Sequence, residues 1–144
     1  MAPRRTADRE RAALVGLVVG SRKRHEAETS LDELAGLAEA AGAEVVVRLL
    51  QERSAPDPST FLGRGKATML GASCGELEVD VVVCDGELSP SQVSHLESQV
   101  GCKVVDRTQV ILDIFARRAR TKEGKLQVEL AQLQYLLPRL ANSS

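Results

Sequence analysis

The chain has 144 residues, of which 43% are hydrophobic, and its 19 basic and 20 acidic side chains leave a formal net charge of −1 at pH 7. This length suits one domain with a helical appendage, and the near-neutral charge excludes a protein that binds polyanions over its whole surface. Its apolar runs are too short to span a membrane, and three separated cysteines without a C-x-x-C pair argue against a zinc site. We therefore expect a soluble, cytoplasmic protein whose nucleic-acid contacts, if it makes any, come from local basic patches.

The first part of the chain predicts a β-α-β unit. Residues 1–11 are polar and basic, and we expect them to form a disordered tail. Apolar runs at 13–19 and 44–50 predict two strands buried on both faces. Between them, Ser30 and Glu33 have the spacing of a capping box, which places the start of a helix at Ser30, and a glycine ends it. A parallel pair of strands follows from this order of elements.

The pattern continues up to the strand that ends near residue 106. Apolar segments at 79–84 and 102–105 predict two further strands, with a helix across 66–74 before the first of them. Another helix begins after Ser89, which is followed by proline at the first helical position. The alternation predicts an α/β domain over residues 12–106, with a mainly parallel four-stranded sheet flanked by helices.

Residues 107–140 predict an antiparallel αα-hairpin outside the sheet. Its helices are expected at 108–119 and 125–137, joined by a turn at 121–124. Pro138 predicts that the second helix stops or bends there. Leucines separated by four and three residues form one stripe of that helix, and we expect the stripe to pack on apolar residues of the first helix. The stripe is Leu126, Leu130, Leu133, Leu137 and Leu140, and its expected partners are Ile111, Ile114 and Phe115.

The turn of this hairpin carries a basic cluster, in which five cations are opposed only by Glu123. Folding gains nothing from crowding like charges, while arginine donates paired hydrogen bonds to phosphate and glycine allows close backbone approach. An anion-binding tip is therefore favoured over a solvated face. We name this cluster the hairpin tip, and it comprises Arg117, Arg118, Arg120, Thr121, Lys122, Gly124 and Lys125.

A second candidate site is the loop Gly63-Arg64-Gly65-Lys66. It does not match a phosphate-binding loop, which requires a glycine at Thr60 and a hydroxyl at Ala67. A helix start with flexible glycines can still hold an anion, including a nucleotide, through free N–H groups. A simple turn before the helix is the favoured interpretation.

Two carboxylates, Asp85 and Glu87, follow a predicted strand at its carboxyl end, where α/β proteins often hold ligands. They could bind magnesium or act as acid and base, but a turn followed by the Ser89 cap is favoured. No other pattern indicates a nucleophile or a set of metal ligands. The sequence thus predicts no catalytic residues and no metal site.

Several segments resemble the HflX-type GTPases, which are ribosome-associated GTP hydrolases. The run T-x-E-G-K-L-Q-V-E-L-A-Q-L, with L-P-R-L after it, is similar to the segment that precedes the G domain in that family. The likeness covers the chain from about Val15 to Leu140. The matching segments are 63–66, 106–107, 110–115, 121–133 and 137–140.

The resemblance implies an N-terminal domain that docks on the large ribosomal subunit. The hairpin tip is then expected to contact ribosomal RNA near the peptidyl transferase centre, with subunit splitting and rescue of stalled ribosomes as the outcome. GTP and Mg²⁺ belong to a G domain that would begin where this chain stops, so residues 141–144 are expected to be a truncated end. We expect no cofactor in the fragment itself, no GTP hydrolysis by it, and a monomer whose partners are the large subunit and its own G domain.

Two alternatives from other classes stay open. One is a module that binds a nucleotide or small ligand through the 63–66 loop and Asp85, since some HflX relatives are described as binding purine nucleotides through this domain. The other is a helical module that dimerises through the leucine stripe.

Overall fold

The structure, a computed structural model, describes the backbone of residues 9–118 and 122–141, and their side chains except those of 117–128, 140 and 141. Four strands form one sheet in the order β2-β1-β3-β4, and every neighbouring pair is parallel. The strands are β1 (Glu10–Val19), β2 (Ala43–Arg53), β3 (Val81–Cys84) and β4 (Lys103–Asp106). The predicted α/β class and its mainly parallel four-stranded sheet are confirmed.

Helices cover both faces of this sheet. Apolar residues of α2 and α3 pack on one face, and those of α1 and α4 pack on the other. α5 packs against α4. The helices of the described region are α1 (Arg24–Ala40), α2 (Arg64–Glu76), α3 (Pro90–Val100), α4 (Arg107–Arg118) and α5 (Lys122–Ala141). None of the helices in the described region is long and apolar enough to cross a membrane.

The central strand β1 shows why its sequence is a continuous apolar run. Ala13 and Val15 point into the core beneath α2 and α3, while Ala12 and Leu14 point into the core beneath α1 and α4. All four side chains are fully buried. A strand covered on both faces has no polar side, so the period-two alternation of a half-exposed strand is absent.

The ends of α3 follow local rules and confirm the prediction. Ser89 accepts a hydrogen bond from the backbone of Gln92, whose side chain bonds back to Ser89, and Pro90 takes the first helical position. Gly101 ends the helix in the left-handed conformation, at φ 77°. These signals lie within a few residues of the positions that they cap.

The predicted start of α1 at Ser30 is wrong, because the helix begins at Arg24. Lys23 is its N-cap in an extended conformation and makes no side-chain capping bond. Ser30 lies inside the helix, where its hydroxyl and carbonyl both accept hydrogen bonds from Arg107. Arg107, which is distant in sequence, therefore binds the Ser30 hydroxyl that the local pattern assigns to a helix cap.

The boundary of the predicted tail at residue 11 is also wrong, since Glu10 and Arg11 belong to β1. The Arg11 amide donates to Asp80, and its guanidinium donates to the carbonyl of Leu77 at 2.8 Å. These bonds fasten the start of the strand. Residues 1–8 lie outside the described residues.

The helical hairpin differs from the prediction at the turn and near its end. α5 begins at Lys122 and includes Gly124, so the predicted turn at 121–124 is largely helical in this structure. The helix also continues through Pro138 to Ala141 rather than stopping there. Arg139 donates to the carbonyl of Tyr135, one turn earlier, and this side-chain bond supports the backbone around the proline.

The described leucines of the stripe do not pack on α4 as predicted. Leu130, Leu133 and Leu137 are 52–59% exposed, and Phe115 is 55% exposed. Ile114 is buried, but in the core beneath α1 and α4. Periodicity identifies the stripe correctly, whereas the hydrogen-bonding residues of α5 occupy the face turned toward the domain. The side chains of Leu126 and Leu140 lie outside the described residues.

Candidate functional site

The loop before α2 is held by its own backbone and by one carboxylate. Asp57 and Phe61 exchange two backbone hydrogen bonds of 2.9 Å. The Asp57 carboxylate accepts from the amides of Thr60 and Ser59, and these bonds hold the pKa of Asp57 below its ordinary value. Phe61 adopts a left-handed conformation, at φ 65°, and its ring is buried. The loop thus delivers the chain to the start of α2 in a fixed position.

Gly63 caps α2 and lets a cation approach the helix start. Its amide donates to the Gln51 side chain at 2.9 Å. A Cβ atom at Gly63 would lie 2.6 Å from Nη1 of Arg53, so the missing side chain leaves the space that this guanidinium occupies. Because Gln51 and Arg53 end β2, the 63–66 loop lies at the carboxyl edge of the sheet.

The first turn of α2 has the charge pattern that attracts an anion. It contains no acidic residue, Arg64 is exposed, and Lys66 is half-buried. Within the described part of the chain, neither cation forms an ion pair. Free N–H groups at a helix start favour negative charge, and basic side chains beside them add to this preference.

An open cleft of about 520 Å³ lies along the ends of β1 and β2. Arg24 is neutralised there by Glu28 and Glu52, at 3.3 and 3.1 Å. Arg53 keeps one weak carboxylate partner, Asp57, at 4.0 Å. Arg22 lines the same cleft and has no carboxylate partner among the described residues, so the cleft can hold an anion at Arg22 or at Arg53. Its lining residues are Val18, Gly20, Arg22, Arg24, Glu52, Arg53 and Ser54.

A second polar cluster, centred on Asp106, fixes the hairpin to the same edge. Asp106 is 2% exposed, ends β4 and caps α4 by accepting a hydrogen bond from the amide of Gln109. It also accepts bonds from the amide of Leu88 and from the hydroxyl of Tyr135. Burial and this bond to the carboxylate raise the pKa of Tyr135. The hydroxyl is therefore neutral at physiological pH and acts as a donor.

Arg139 makes the remaining contacts that hold α5 against the domain. Its guanidinium lies 3.6 Å from the centre of the Tyr135 ring and 3.9 Å from the Asp106 carboxylate. It also donates to the carbonyl of Leu88 at 3.2 Å. A cation stacked on an aromatic ring and paired with a buried carboxylate is held more firmly than an exposed ion pair.

Arg107 joins α4 to α1 and to the end of β3. Its Nε donates to Asp85 at 2.9 Å, and its Nη2 donates to the carbonyl and hydroxyl of Ser30 at 2.8 and 3.0 Å. Glu33 lies 3.9 Å from the same guanidinium. The other Asp85 oxygen is buried and has no hydrogen-bond partner among the described residues.

The structure separates the two carboxylates that the sequence paired. Asp85 is engaged by Arg107, while Glu87 is exposed outside the cluster. The described ranges, 9–118 and 122–141, contain no group of three or more His, Cys, Asp or Glu side chains that could hold a metal ion. The arrangement here is a structural joint rather than a pair of groups poised for proton transfer.

The hairpin runs from the carboxyl edge toward the amino edge of the sheet. Tyr135 meets Asp106 and Gln132 meets Asp113, so the two helices are antiparallel, as predicted. Asp113 borders a cavity with Glu10 and Lys103, the first residues of β1 and β4. α4 therefore leads away from the edge that carries the 63–66 loop.

The side chains of the hairpin tip lie outside the described residues, as does the whole of Arg120 and Thr121. What the structure gives is the backbone that leads to them. Arg117 and Arg118 end α4, and Lys122, Gly124 and Lys125 begin α5.

Sequence reasoning missed the residues that hold the hairpin. Asp106 and Arg107 entered only as part of a family resemblance, and neither Tyr135 nor Arg139 was assigned a role. One local signal existed, because an aspartate between a strand and a helix is a favoured N-cap. The partners of Arg107 and Tyr135 are 22 to 77 residues away in the chain, which no local pattern reveals.

Known proteins match this chain along most of its length. A model of the family described as GTP-binding GTPase N-terminal matches residues 28–116, and one described as GTP-binding GTPase Middle Region matches residues 118–144. "GTPase HflX" of Alkalihalophilus pseudofirmus is 48% identical over 93% of the chain, and that of Escherichia coli K12 is 45% identical over 91%. The chain spans 31% and 30% of these relatives.

Solved structures share the fold. A variant of the protein called SsGBP, G235P, superposes with a TM-score of 0.72 at 25% identity, covering 93% of this chain and 41% of that one. A GTP-binding protein from Sulfolobus solfataricus in complex with GDP gives 0.66 at 24% identity, covering 93% and 39%. With the family models and the relatives taken together, the chain belongs to the HflX GTPase family and carries the region of its N-terminal domain.

Proposed function

We propose that this chain is the ribosome-docking part of an HflX-like GTPase. It binds the large ribosomal subunit, directs the hairpin tip to ribosomal RNA near the peptidyl transferase centre, and thereby promotes subunit splitting and rescue. The observation that carries the proposal is the partly buried joint at the base of the hairpin, formed around the buried Asp106. Asp106, Arg107, Tyr135 and Arg139 fasten both helices to the sheet.

A fixed base matters because binding through a loose arm costs conformational entropy. α4 has 12 residues, so at a rise of about 1.5 Å per residue it extends the chain by about 18 Å from Asp106. Its first turns are anchored by Val110 and Ile114 in the core beneath α1. Cations presented at the end of such a helix pair lose less freedom on docking than cations on a flexible tail.

The charge distribution agrees with a local contact. The whole chain has a net charge of −1, while the sequence of the tip contains five cations and one carboxylate. Binding to RNA phosphates releases counterions in proportion to the contacts made, and such binding weakens as salt is added. A patch of this kind can drive docking without making the entire surface basic.

GTP hydrolysis is assigned to the part of the relatives that this chain does not span. The relatives are named GTPases, and the chain covers about a third of their length. Thr60 and Ala67 occupy positions where a phosphate-binding loop needs a glycine and a hydroxyl residue. GTP and Mg²⁺ would accordingly bind outside these residues, in a G domain. The hairpin, held firmly against the sheet, would link ribosome docking to that G domain.

Chemical footprinting of ribosomal RNA tests the location of docking. With the chain bound to purified large subunits, we expect protection of nucleotides around the peptidyl transferase centre. Protection confined to other parts of the subunit would contradict the proposed orientation, and an unchanged footprint at saturating chain would contradict docking.

A second candidate function is binding of a nucleotide at the carboxyl edge. It is favoured by the acid-free first turn of α2, with Arg53 held beside Gly63. Saturable binding of ATP in isothermal titration calorimetry, weakened at least tenfold in a Lys66→Ala variant, supports this function. An equal response of a variant altered at exposed Lys103 on the amino edge would identify non-specific charge attraction instead.

A further inference from the structure

A small cavity lies at the base of the hairpin, between β4, α3, α4 and α5. Its volume is about 50 Å³, and its apolar wall includes Val93, Val104 and Leu136. A water molecule takes up about 30 Å³ in the liquid, so the cavity has room for one water-sized ligand and for little more. The polar residues that line the cavity are Asp106, Gln109, Tyr135 and Arg139.

Two of these residues each carry a buried polar atom that has no hydrogen-bond partner among the described residues. The atoms are the oxygen Oε1 of Gln109 and the nitrogen Nε of Arg139. Oε1 is an acceptor and Nε is a donor, so the two atoms need opposite partners. Leaving a buried polar atom without a partner costs free energy, and such atoms in folded proteins are as a rule bonded to protein or to water.

The amide group of Gln109 is fixed in its orientation by a carboxylate. Its Nε2 donates to Oδ1 of Asp113 at 3.0 Å. Because a carboxylate only accepts hydrogen bonds, exchanging the nitrogen and the oxygen of the amide would place oxygen against oxygen. Oε1 is therefore held at the other end of the amide as an acceptor, and the side chain cannot satisfy it by turning over.

The guanidinium of Arg139 is held through its other two nitrogens. Nη1 donates to the carbonyl of Tyr135 at 3.0 Å, and Nη2 donates to the carbonyl of Leu88 at 3.2 Å. Its Cζ also lies 3.6 Å from the centre of the Tyr135 ring. Moving Nε toward another protein group would break these contacts, so a small ligand inside the cavity is the partner that fits.

We propose that this cavity is a binding site for one water molecule, which accepts a hydrogen bond from Nε of Arg139 and donates one to Oε1 of Gln109. Water both accepts and donates at the size that the cavity allows. A simple anion has no proton for Oε1 and is repelled by the Asp106 carboxylate in the same wall. A metal or ammonium cation cannot accept from Nε and is repelled by the guanidinium.

Asp106 offers a third contact for the same water. Its carboxylate accepts bonds from the amides of Leu88 and Gln109 and from the Tyr135 hydroxyl. A carboxylate has about four acceptor positions, so one is left for the second proton of the water. Buried waters commonly make about three hydrogen bonds, and these residues supply that number.

The bound water joins the two helices of the hairpin. Gln109 belongs to α4 and Arg139 belongs to α5. A bridging water is nearly as favourable in enthalpy as a direct hydrogen bond, so it adds to the direct bonds that hold α5 against the domain. The site follows from the base of the hairpin alone and does not depend on ribosome docking.

A high-resolution crystal structure of this chain tests the site directly. We expect one isolated peak of electron density in the cavity, at about 2.7–3.2 Å from both Oε1 of Gln109 and Nε of Arg139. A direct bond between these two atoms, a cavity without density, or an ion in place of the water would each overturn the proposal.

The number of long-lived waters is measured in solution by magnetic relaxation dispersion of oxygen-17. Gln109→Met retains a side chain of similar length but removes the acceptor, and we expect this variant to hold one long-lived water fewer than the parent chain. Gln132→Met is the matched control, because Gln132 also donates to Asp113, at 3.3 Å, but does not line the cavity. This control should retain the number of waters found in the parent.

Equal numbers of long-lived waters in all three proteins would overturn the proposal. An equal loss in both variants would also overturn it, because that result would assign the water to Asp113. Circular dichroism confirms that each variant is folded. If Gln109→Met does not fold, the crystal structure of the parent chain decides alone.

Discussion

At the scale of single residues, two glycines of α2 differ in what surrounds them. A Cβ atom at Gly71 would meet the Gln99 carbonyl at 2.6 Å, whereas one at Gly75 would meet no atom within 4 Å. Both residues lie in the same helix and neither has a positive φ. Close packing against α3 therefore requires glycine at 71 but not at 75.

Gly71→Ala should lower the free energy of unfolding by about 1–3 kcal/mol, because a backbone atom of α3 must move. Gly75→Ala is the matched control, and it should raise stability by up to about 1 kcal/mol, as expected for alanine in an exposed helix. Urea denaturation measures both. Equal stabilities of the two variants would show that α2 and α3 do not approach as closely as described.

At the scale of elements, the hairpin depends on one hydroxyl in its base. Tyr135→Phe removes the donor to the buried Asp106 but retains the ring under Arg139. A hydrogen bond to a charged group contributes about 1.5–3 kcal/mol, and we expect a loss in that range. Gln134→Ala, on the exposed side of α5, should change stability by less than about 0.5 kcal/mol.

Hydrogen exchange of α5 locates the effect of Tyr135→Phe. If the hydroxyl seats the hairpin, amide protection should fall in α4 and α5 more than in the sheet. A variant that loses stability uniformly, or that equals Gln134→Ala, would contradict the role given to Tyr135.

The elements also show what the sequence could and could not predict. β1 and the ends of α3 were predictable, because an apolar run, a serine with proline after it and a glycine act within a few residues. The start of α1 was not, since Ser30 serves Arg107 from 77 positions away. The spacing of the leucines gave one face of α5, but only the bonds of Tyr135 and Arg139 decide which face turns inward.

The candidate sites were predictable in composition but not in relation to each other. The glycines and cations of the 63–66 loop were visible in the sequence, whereas Arg53, which lies against Gly63, comes from the preceding strand. The opposite placement of this loop and the end of α4 follows from sheet order and helix direction. The approach of Arg53 to Gly63 and the relative placement of the loop and α4 both depend on tertiary structure, which local sequence patterns do not reveal.

At the scale of the whole molecule, the chain should not turn over GTP. Thr60 and Ala67 stand where a phosphate-binding loop needs a glycine and a hydroxyl residue, and we propose that GTP is hydrolysed in the part of the relatives that this chain does not span. Phosphate release from purified chain should equal the buffer rate. GTP turnover that co-purifies with the folded chain and disappears in a Lys66→Ala variant would contradict the proposal that GTP is hydrolysed outside this chain.

The central claim is that the hairpin tip contacts ribosomal RNA, and pelleting with large ribosomal subunits at several salt concentrations tests it most directly. The logarithm of the binding constant should fall with that of salt, with a slope of about −0.7 to −0.9 for each neutralised phosphate. Replacing Arg117, Arg118 and Arg120 with alanine should weaken binding and flatten the slope by about 2. The matched control removes the same number of cations from the opposite edge, at Arg22, Arg64 and Lys66.

The account predicts that the tip variant stays folded by circular dichroism, binds large subunits more weakly and loses part of its salt dependence, while the control variant retains the parent slope. A folded tip variant with the affinity and salt slope of the parent would contradict the central claim, and a loss confined to the control variant would move the RNA contact to the carboxyl edge.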